Sequence, residues 1–239
     1  MKAMIFAAGL GTRLKGETRE RPKALVEVGG KPLLQHAIEK LKNSGFAEIV
    51  VNVHHFSDLV IQFLNKNDFG LPIHISDESE KLLETGGGLK KAQPFLTGSS
   101  PILLYNVDIL NNIDIQKAIR EHRKSTALAT LIVMQRETQR YLKFNEENEL
   151  VGWINKKTGE TIVCREQDFV SAKELAFSGI HIIEPEIFDF MPQEDCFPIM
   201  DLYLKLAKTK TIKGYFDDSD LWMDVGKPEH LEQARKLFS

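Results

Sequence analysis

The first twenty-five residues restrict the possible fold more than any other stretch. A short apolar run at residues 3–8, Ala-Met-Ile-Phe-Ala-Ala, opens directly into Gly9-Leu10-Gly11-Thr12-Arg13. After nine intervening residues comes Lys23, inside Arg21-Pro22-Lys23-Ala24-Leu25. The run reads as a buried first strand and the glycines as the turn that ends it. Gly9 and Gly11 let the backbone take positive φ and approach a ligand closely, and successive N–H groups can then form an anion nest. Arg13 adds a planar fork of donors and Lys23 a compact charge. This combination suits a polyphosphate, so a nucleotide is the expected ligand. The plainer alternative is a tight turn with two surface cations.

The following segments agree with an α/β layout. Residues 48–53, 73–76 and 102–107 are short, β-branched and largely continuous in apolarity, as strands are when both faces of a parallel sheet are covered. Leu33, Leu34, Ala37, Ile38 and Leu41 follow the 3.6-residue period of a helix, and Val60, Ile61 and Leu64 do so after Ser57-Asp58 as N-cap. Strand–helix alternation predicts layers with right-handed crossovers. The second half differs. Residues 127–135 and 177–183 read as strands, and 143–145 with 150–154 as a hairpin about a polar turn. Residues 198–208 and 228–238 read as helices. One domain is expected, with a nucleotide-binding half at 1–110 and a second half with the last helix at 111–239, the half to which the resemblance described below assigns sugar binding. No internal repeat is present, so a C-terminal β-helix is not expected.

Bulk properties exclude several classes. The 239 residues hold 31 Lys and Arg against 34 Asp and Glu, a net charge of -3. Nucleic-acid binding calls for a basic excess, so it is not expected, and phosphate affinity must be local. The first apolar run is too short for a membrane span or a signal peptide. Cys164 and Cys196 lack metal-type spacing and suit reduced thiols in the cytoplasm. The chain reads as a monomer or homodimer.

Two familiar phosphate motifs are absent. Leu14 stands where the dinucleotide fingerprint needs its third glycine, and no Gly-Lys-Ser/Thr follows. The remaining acids and glycines fall into separate groups. Glu84-Thr85-Gly86-Gly87-Gly88 precedes a helical pattern and reads as a turn facing a flat ligand, or as a plain helix-entry loop. Asp108 ends the run at 102–107, where carboxyl ends of strands meet a crevice. Asp224 is the single acid in Leu221-Trp222-Met223-Asp224-Val225. Two such carboxylates suit Mg²⁺, which prefers oxygen and bridges acids to phosphates. Otherwise they are a turn aspartate and a helix cap. His54 and His55 point to opposite faces and make a poor metal pair. Trp153 and Trp222 read as packing anchors.

These motifs together resemble the sugar-1-phosphate nucleotidyltransferase family. The resemblance rests on Gly-Leu-Gly-Thr-Arg-Leu at 9–14, Pro-Lys-Ala-Leu at 22–25 and Gly30-Lys31-Pro32-Leu33. Further matches extend it over nearly the whole chain. Its short members of the N-acetylmuramate 1-phosphate uridylyltransferase type, and related mannose-1-phosphate guanylyltransferases, are the most similar. The resemblance implies a Rossmann-like, three-layer, GT-A-like fold with a mostly parallel central sheet and a small mixed-strand sugar lobe. It implies Arg13 and Lys23 as catalytic. Ala8, Gly9, Gly11, Thr12, Glu84, Gly87, Gly88 and Asn106 would bind the nucleotide. Asp108 and Asp224 would hold Mg²⁺, although Asn106-Val107-Asp108 has valine where the family usually has glycine. Ser178 and Gly179, in Phe-Ser-Gly-Ile, would line the sugar pocket. Lys157 is placed there too, with Lys156 and Lys173 as alternatives for the sugar phosphate. The implied reaction joins an NTP, UTP before GTP, to a sugar 1-phosphate of N-acetylmuramate type. A different NTP and acceptor, or a regulatory module that binds a nucleotide sugar without turnover, are the other readings.

Overall fold

The computed structural model describes residues 1–14, 16–98 and 100–238. Its strands are β1 (Lys2–Phe6), β2 (Glu27–Val28), β3 (Lys31–Pro32), β4 (Glu48–Val53), β5 (Ile73–Asp77), β6 (Ile102–Asn106), β7 (Ile109–Asn111), β8 (Ala129–Met134), β9 (Arg140–Phe144), β10 (Leu150–Asn155), β11 (Thr161–Val163), β12 (Lys173–Ile183), β13 (Ile212–Phe216) and β14 (Trp222–Asp224). Its helices are α1 (Leu33–Asn43), α2 (Ser57–Lys66), α3 (Glu84–Leu96), α4 (Ile115–Arg123), α5 (Glu166–Phe169), α6 (Ile199–Leu206) and α7 (Pro228–Leu237).

The first strand sits between β4 and β6, parallel to both, and β5 extends the sheet beyond β4. On the other side β12 pairs antiparallel with β6 and β8, and β13 joins β8 in parallel. Strands β5, β4, β1, β6, β8 and β13 therefore run one way, with β12 against them. The α/β class and the mostly parallel central sheet are as expected. The amino-terminal end of β12 pairs with β9, and β9, β10 and β11 continue as an antiparallel ribbon. The expected hairpin is β9–β10.

Alternation along β1 divides the core into two layers. Ala3 and Ile5 face a cluster that includes the apolar stripe of α1, while Met4 and Phe6 face one that includes Leu89, Ala92 and Leu96 of α3 and Leu202 of α6. Successive strand side chains point to opposite faces, so one apolar strand serves both layers. Among the described residues no helix is long and apolar enough to cross a membrane.

Local readings change in three places. Ser57 opens α2 instead of capping it; the cap is Phe56, at φ 53°. The first strand ends at Phe6, so Ala7 and Ala8 already belong to the loop. The larger change concerns Gly86, Gly87 and Gly88, which lie inside the first turns of α3 and not in a turn before it. Glycine costs close to 1 kcal/mol in a helix relative to alanine, so something must exclude a side chain here. A Cβ on Gly86 would overlap the Phe197 ring, one on Gly87 the Asp195 carbonyl, and one on Gly88 would lie 2.6 Å from Glu78 Oε1. Residues 195–199 are pinned against the start of α3: Gly86 N–H donates to Phe197 O (2.8 Å) and Ile199 N–H to Thr85 Oγ1 (2.9 Å). The glycines admit this close approach.

Candidate active site

The parallel strands β4, β1 and β6 end along one rim, where Phe6 is in register with Asn52 on one side and Asn106 on the other. Beyond that rim is a cleft of about 390 Å³. Ala8, Gly9, Gly11, Thr12, Arg13, Lys23, Glu84, Asn106 and Asp108 line it, together with Asn52, Thr85 and Gly226. Most of the residues expected to meet the nucleotide or its metal are thus brought to one cavity.

The glycine turn works by two different means. Gly11 sits at φ +65°, and a Cβ there would lie 2.9 Å from the Thr18 methyl and 3.1 Å from Lys23. Its carbonyl accepts from Leu14 N–H (3.0 Å) and the Thr18 hydroxyl (3.1 Å). Gly11 therefore shapes the turn. Gly9 has nothing within 4 Å of its Cβ position, so its face of the backbone is open to a ligand.

The two aspartates come from distant parts of the chain and meet through a two-stranded ribbon. Asp224 on β14 is opposite Ile109 on β7, and Val225 N–H donates to Asp108 O at 3.0 Å. Gly226 N–H donates to Asp224 Oδ1 at 2.9 Å. The Lys23 ammonium bonds Asp108 Oδ2, and Arg13 Nη1 lies 3.9 Å from Asp224 Oδ2. Gly226 marks the centre of this cluster. Its Cβ position lies 2.5 Å from Lys23 Nζ, 2.8 Å from Asp224 Oδ1 and 2.9 Å from Arg13 Nη2. Lys23 is 9 % exposed, so its charge is mostly removed from water and requires an anionic partner. Two acids and two cations within a few ångströms can neutralise a triphosphate and hold a hard cation against it.

A buried polar chain, not anticipated from the sequence, braces the cleft. Ala7 N–H donates to Asn52 Oδ1 (2.8 Å), Asn52 Nδ2 donates to Glu78 Oε1 (2.7 Å), and Leu83 N–H donates to Glu78 Oε2 (3.3 Å). It links the start of the glycine loop to the start of α3. Burial pushes the Glu78 carboxyl above its ordinary value. The available signal was Asn52, a lone amide in the otherwise apolar carboxyl half of β4. Glu84 adds local strain at the same place, at φ 60°. A non-glycine residue in that region costs of order 1 kcal/mol.

Other expected site residues lie elsewhere. Gly87 and Gly88 are outside the cleft lining and answer to the packing of α3. Ser178 is fully buried, and Ile180 N–H donates to its hydroxyl (3.2 Å). Gly179, at φ +85°, sits where β12 shifts register against β8. Its Cβ position is 2.9 Å from the Asn106 amide, so a neighbouring side chain makes the close approach there. Lys157 is exposed in the turn between β10 and β11, and Lys156 pairs with Glu174 at 2.7 Å.

Comparison with known proteins agrees with this geometry. The family model described as nucleotidyl transferase matches residues 2–238. N-acetylmuramate alpha-1-phosphate uridylyltransferase of Caulobacter vibrioides is 35% identical over 236 residues, 95% of this chain and 92% of that one. Mannose-1-phosphate guanyltransferase of Yarrowia lipolytica is 30% identical over 245 residues, all of this chain and 64% of that one. The crystal structure of HddC from Yersinia pseudotuberculosis complexed with GMP-PN superimposes with a TM-score of 0.81 at 23% identity, covering 100% of this chain and 99% of that one. A glycine loop after β1, a rim of strand ends and a family match over nearly every residue converge: the chain belongs to the nucleotidyl transferase family.

Proposed function

We propose that this protein transfers a nucleotidyl group from an NTP to a sugar 1-phosphate, releasing pyrophosphate, with UTP and an N-acetylmuramate-type sugar 1-phosphate as the substrates. The observation that carries this reading is the convergence of Arg13, Lys23, Asp108 and Asp224 around Gly226. The choice of substrates is supported by the 35% identity to the Caulobacter uridylyltransferase over almost its full length.

An oxygen of the acceptor phosphate attacks the α-phosphorus of the NTP. A new P–O bond forms as the bond to the α–β bridging oxygen breaks, and that oxygen leaves with pyrophosphate. The open backbone at Gly9 and the Arg13 fork hold the β- and γ-phosphates. Lys23 sits beside Asp108 and meets charge building on the α-phosphate. Little covalent chemistry falls to the protein; positioning and charge neutralisation supply the rate. Asp108 and Asp224 fit Mg²⁺ in ligand type, as hard oxygen donors, and the two stretches that carry them are joined by the Val225 N–H bond to Asp108 O. Among the described residues no third acid, cysteine or histidine joins them, so these two carboxylates would be the side chains that hold the ion. When bound, the ion would supply Lewis-acid polarisation of the phosphoryl oxygens.

The test is pyrophosphate release by pure protein with Mg²⁺, each NTP in turn and a panel of sugar 1-phosphates. UTP with N-acetylmuramate 1-phosphate is expected to be fastest. A guanylyl reading is favoured by the Yarrowia relative, and faster turnover of GTP with mannose 1-phosphate would replace the uridylyl one. Tight binding of a nucleotide sugar with no release from any pair would indicate a regulatory module.

A further inference from the structure

Arg136 lies just past the end of β8, on the same rim as the cleft, and the chemistry described so far does not use it. Its guanidinium carbon is 4.2 Å above the Trp222 ring. Arg136 Nη2 donates to Phe177 O at 2.9 Å, and Trp222 Nε1 donates to Ser178 O at 2.9 Å. Two consecutive carbonyls of β12, immediately before the Gly179 bulge, thus hold an arginine–tryptophan stack. This gives the Phe-Ser-Gly-Ile stretch a supporting role.

The stack has a defined relation to the metal-binding acid. Trp222 and Asp224 are two residues apart on β14, and side chains at that spacing share a face. A guanidinium stacked on Trp222 therefore sits on the Asp224 side of the ribbon. Arg13 reaches Asp224 from the phosphate loop, and Arg136 adjoins the same ribbon from β8. The first faces the nucleotide, which leaves the second for the other substrate.

Its bonding is also incomplete. Arg136 Nε is buried without a hydrogen-bond partner, and Nη1 makes only a long bond to Glu137 O at 3.4 Å. No carboxylate of the described residues pairs with it. Burial pulls the guanidinium below its ordinary value, while the Asp224 carboxylate acts in the opposite direction. A half-buried guanidinium without an acid partner is costly unless an anion completes it. Its planar fork suits phosphate better than a lysine does.

We propose that Arg136, stacked on Trp222 beyond Asp224, binds the phosphate of the incoming sugar 1-phosphate. The proposal rests on the transferase reading above and replaces Lys157 as the acceptor-side cation. Arg136 acts on binding of the acceptor, and its loss should spare the nucleotide half of the site.

The experiment measures KM for each substrate, the other saturating, in wild type, Arg136→Gln and Arg136→Lys. Arg136→Gln should raise the acceptor KM about 10- to 100-fold, the worth of one or two charge-assisted hydrogen bonds. It should leave the UTP KM within about twofold, which also shows that the variant is folded. Arg136→Lys should recover only part of the loss. The proposal is overturned by an unchanged acceptor KM or by an equal rise for UTP. It is also overturned by a rise confined to acceptors that bear a carboxylate, as the muramate does. Wild type turning over no sugar 1-phosphate would sink the transferase reading alone. Inorganic phosphate titrated against Trp222 fluorescence, in a Trp153→Phe background, then still tests Arg136. A phosphate-dependent change lost in Arg136→Gln supports the assignment; no change in the parent, or the same change in both, ends it.

Discussion

Each residue around Gly226 is placed for charge, and the consequences separate stability from turnover. In Asp108→Asn the amide oxygen can still accept from Lys23, so the fold should persist. The loss of one carboxylate from the phosphate-binding cluster should lower kcat by about 10²-fold or more. Far-UV circular dichroism beside pyrophosphate release checks this, and unchanged turnover would remove Asp108 from the metal site. Gly226→Ala is the sharper probe. The three atoms nearest the added methyl are ends of Lys23, Asp224 and Arg13, and the first and last of these side chains are flexible. Stability should change by less than about 1 kcal/mol, as for substitutions that strain no backbone. Turnover should fall about tenfold or more, because misplaced charges lose their orientation toward the phosphates. Equal turnover in the two proteins would show that the cluster tolerates displacement.

Among elements, α3 shows where sequence reading succeeds and where it stops. That Gly9, Gly11, Arg13 and Lys23 would gather at one cleft was legible because they are close in sequence and few structures use that combination. The stripe of α1 was legible because its period is local. Gly86, Gly87 and Gly88 were misread because glycine disfavours helix, and what excludes side chains there lies outside the helix: the packed segment at 195–199 for Gly86 and Gly87, and Glu78 and Asn52 for Gly88. The Gly179 bulge and the Glu78–Asn52 brace escaped for the same reason: each depends on a partner in a distant element. Gly87→Ala tests the revised role of the cluster. Its Cβ would overlap backbone at Asp195, which cannot rotate away, so stability should fall by about 1–3 kcal/mol or more. Urea midpoints measure this. A loss of UTP affinity with no loss of stability would return Gly87 to the base-binding surface.

At the scale of the whole molecule, the strand that runs against its neighbours also carries a titratable group into the core. His181 on β12 is enclosed by the rings of Phe6, Phe177 and Tyr203, with centroids 6.1, 5.3 and 5.5 Å away, and its Nδ1 shares a 2.6 Å hydrogen bond with Tyr203 Oη. Burial holds its pKa down at about 3. The unfolded chain binds this proton near pH 6.5, so below that pH the unfolded state takes up a proton that the native state refuses. Stability is therefore lost as pH falls from about 6.5, and the loss levels off only near pH 3, where the folded form is protonated as well. Between pH 7 and 5 the expected loss from this group is about 2 kcal/mol. Glu78 acts in the opposite direction, since its raised pKa lets the folded state gain protons first. The comparison must therefore be differential. His181→Gln keeps a polar partner for Tyr203 without a titrating group. Urea midpoints at pH 7 and pH 5 should fall further in wild type than in the variant by about that amount. Parallel pH dependence in the two proteins would mean that His181 takes its proton within the fold and that the Phe6 face of the sheet, under the cleft, admits water.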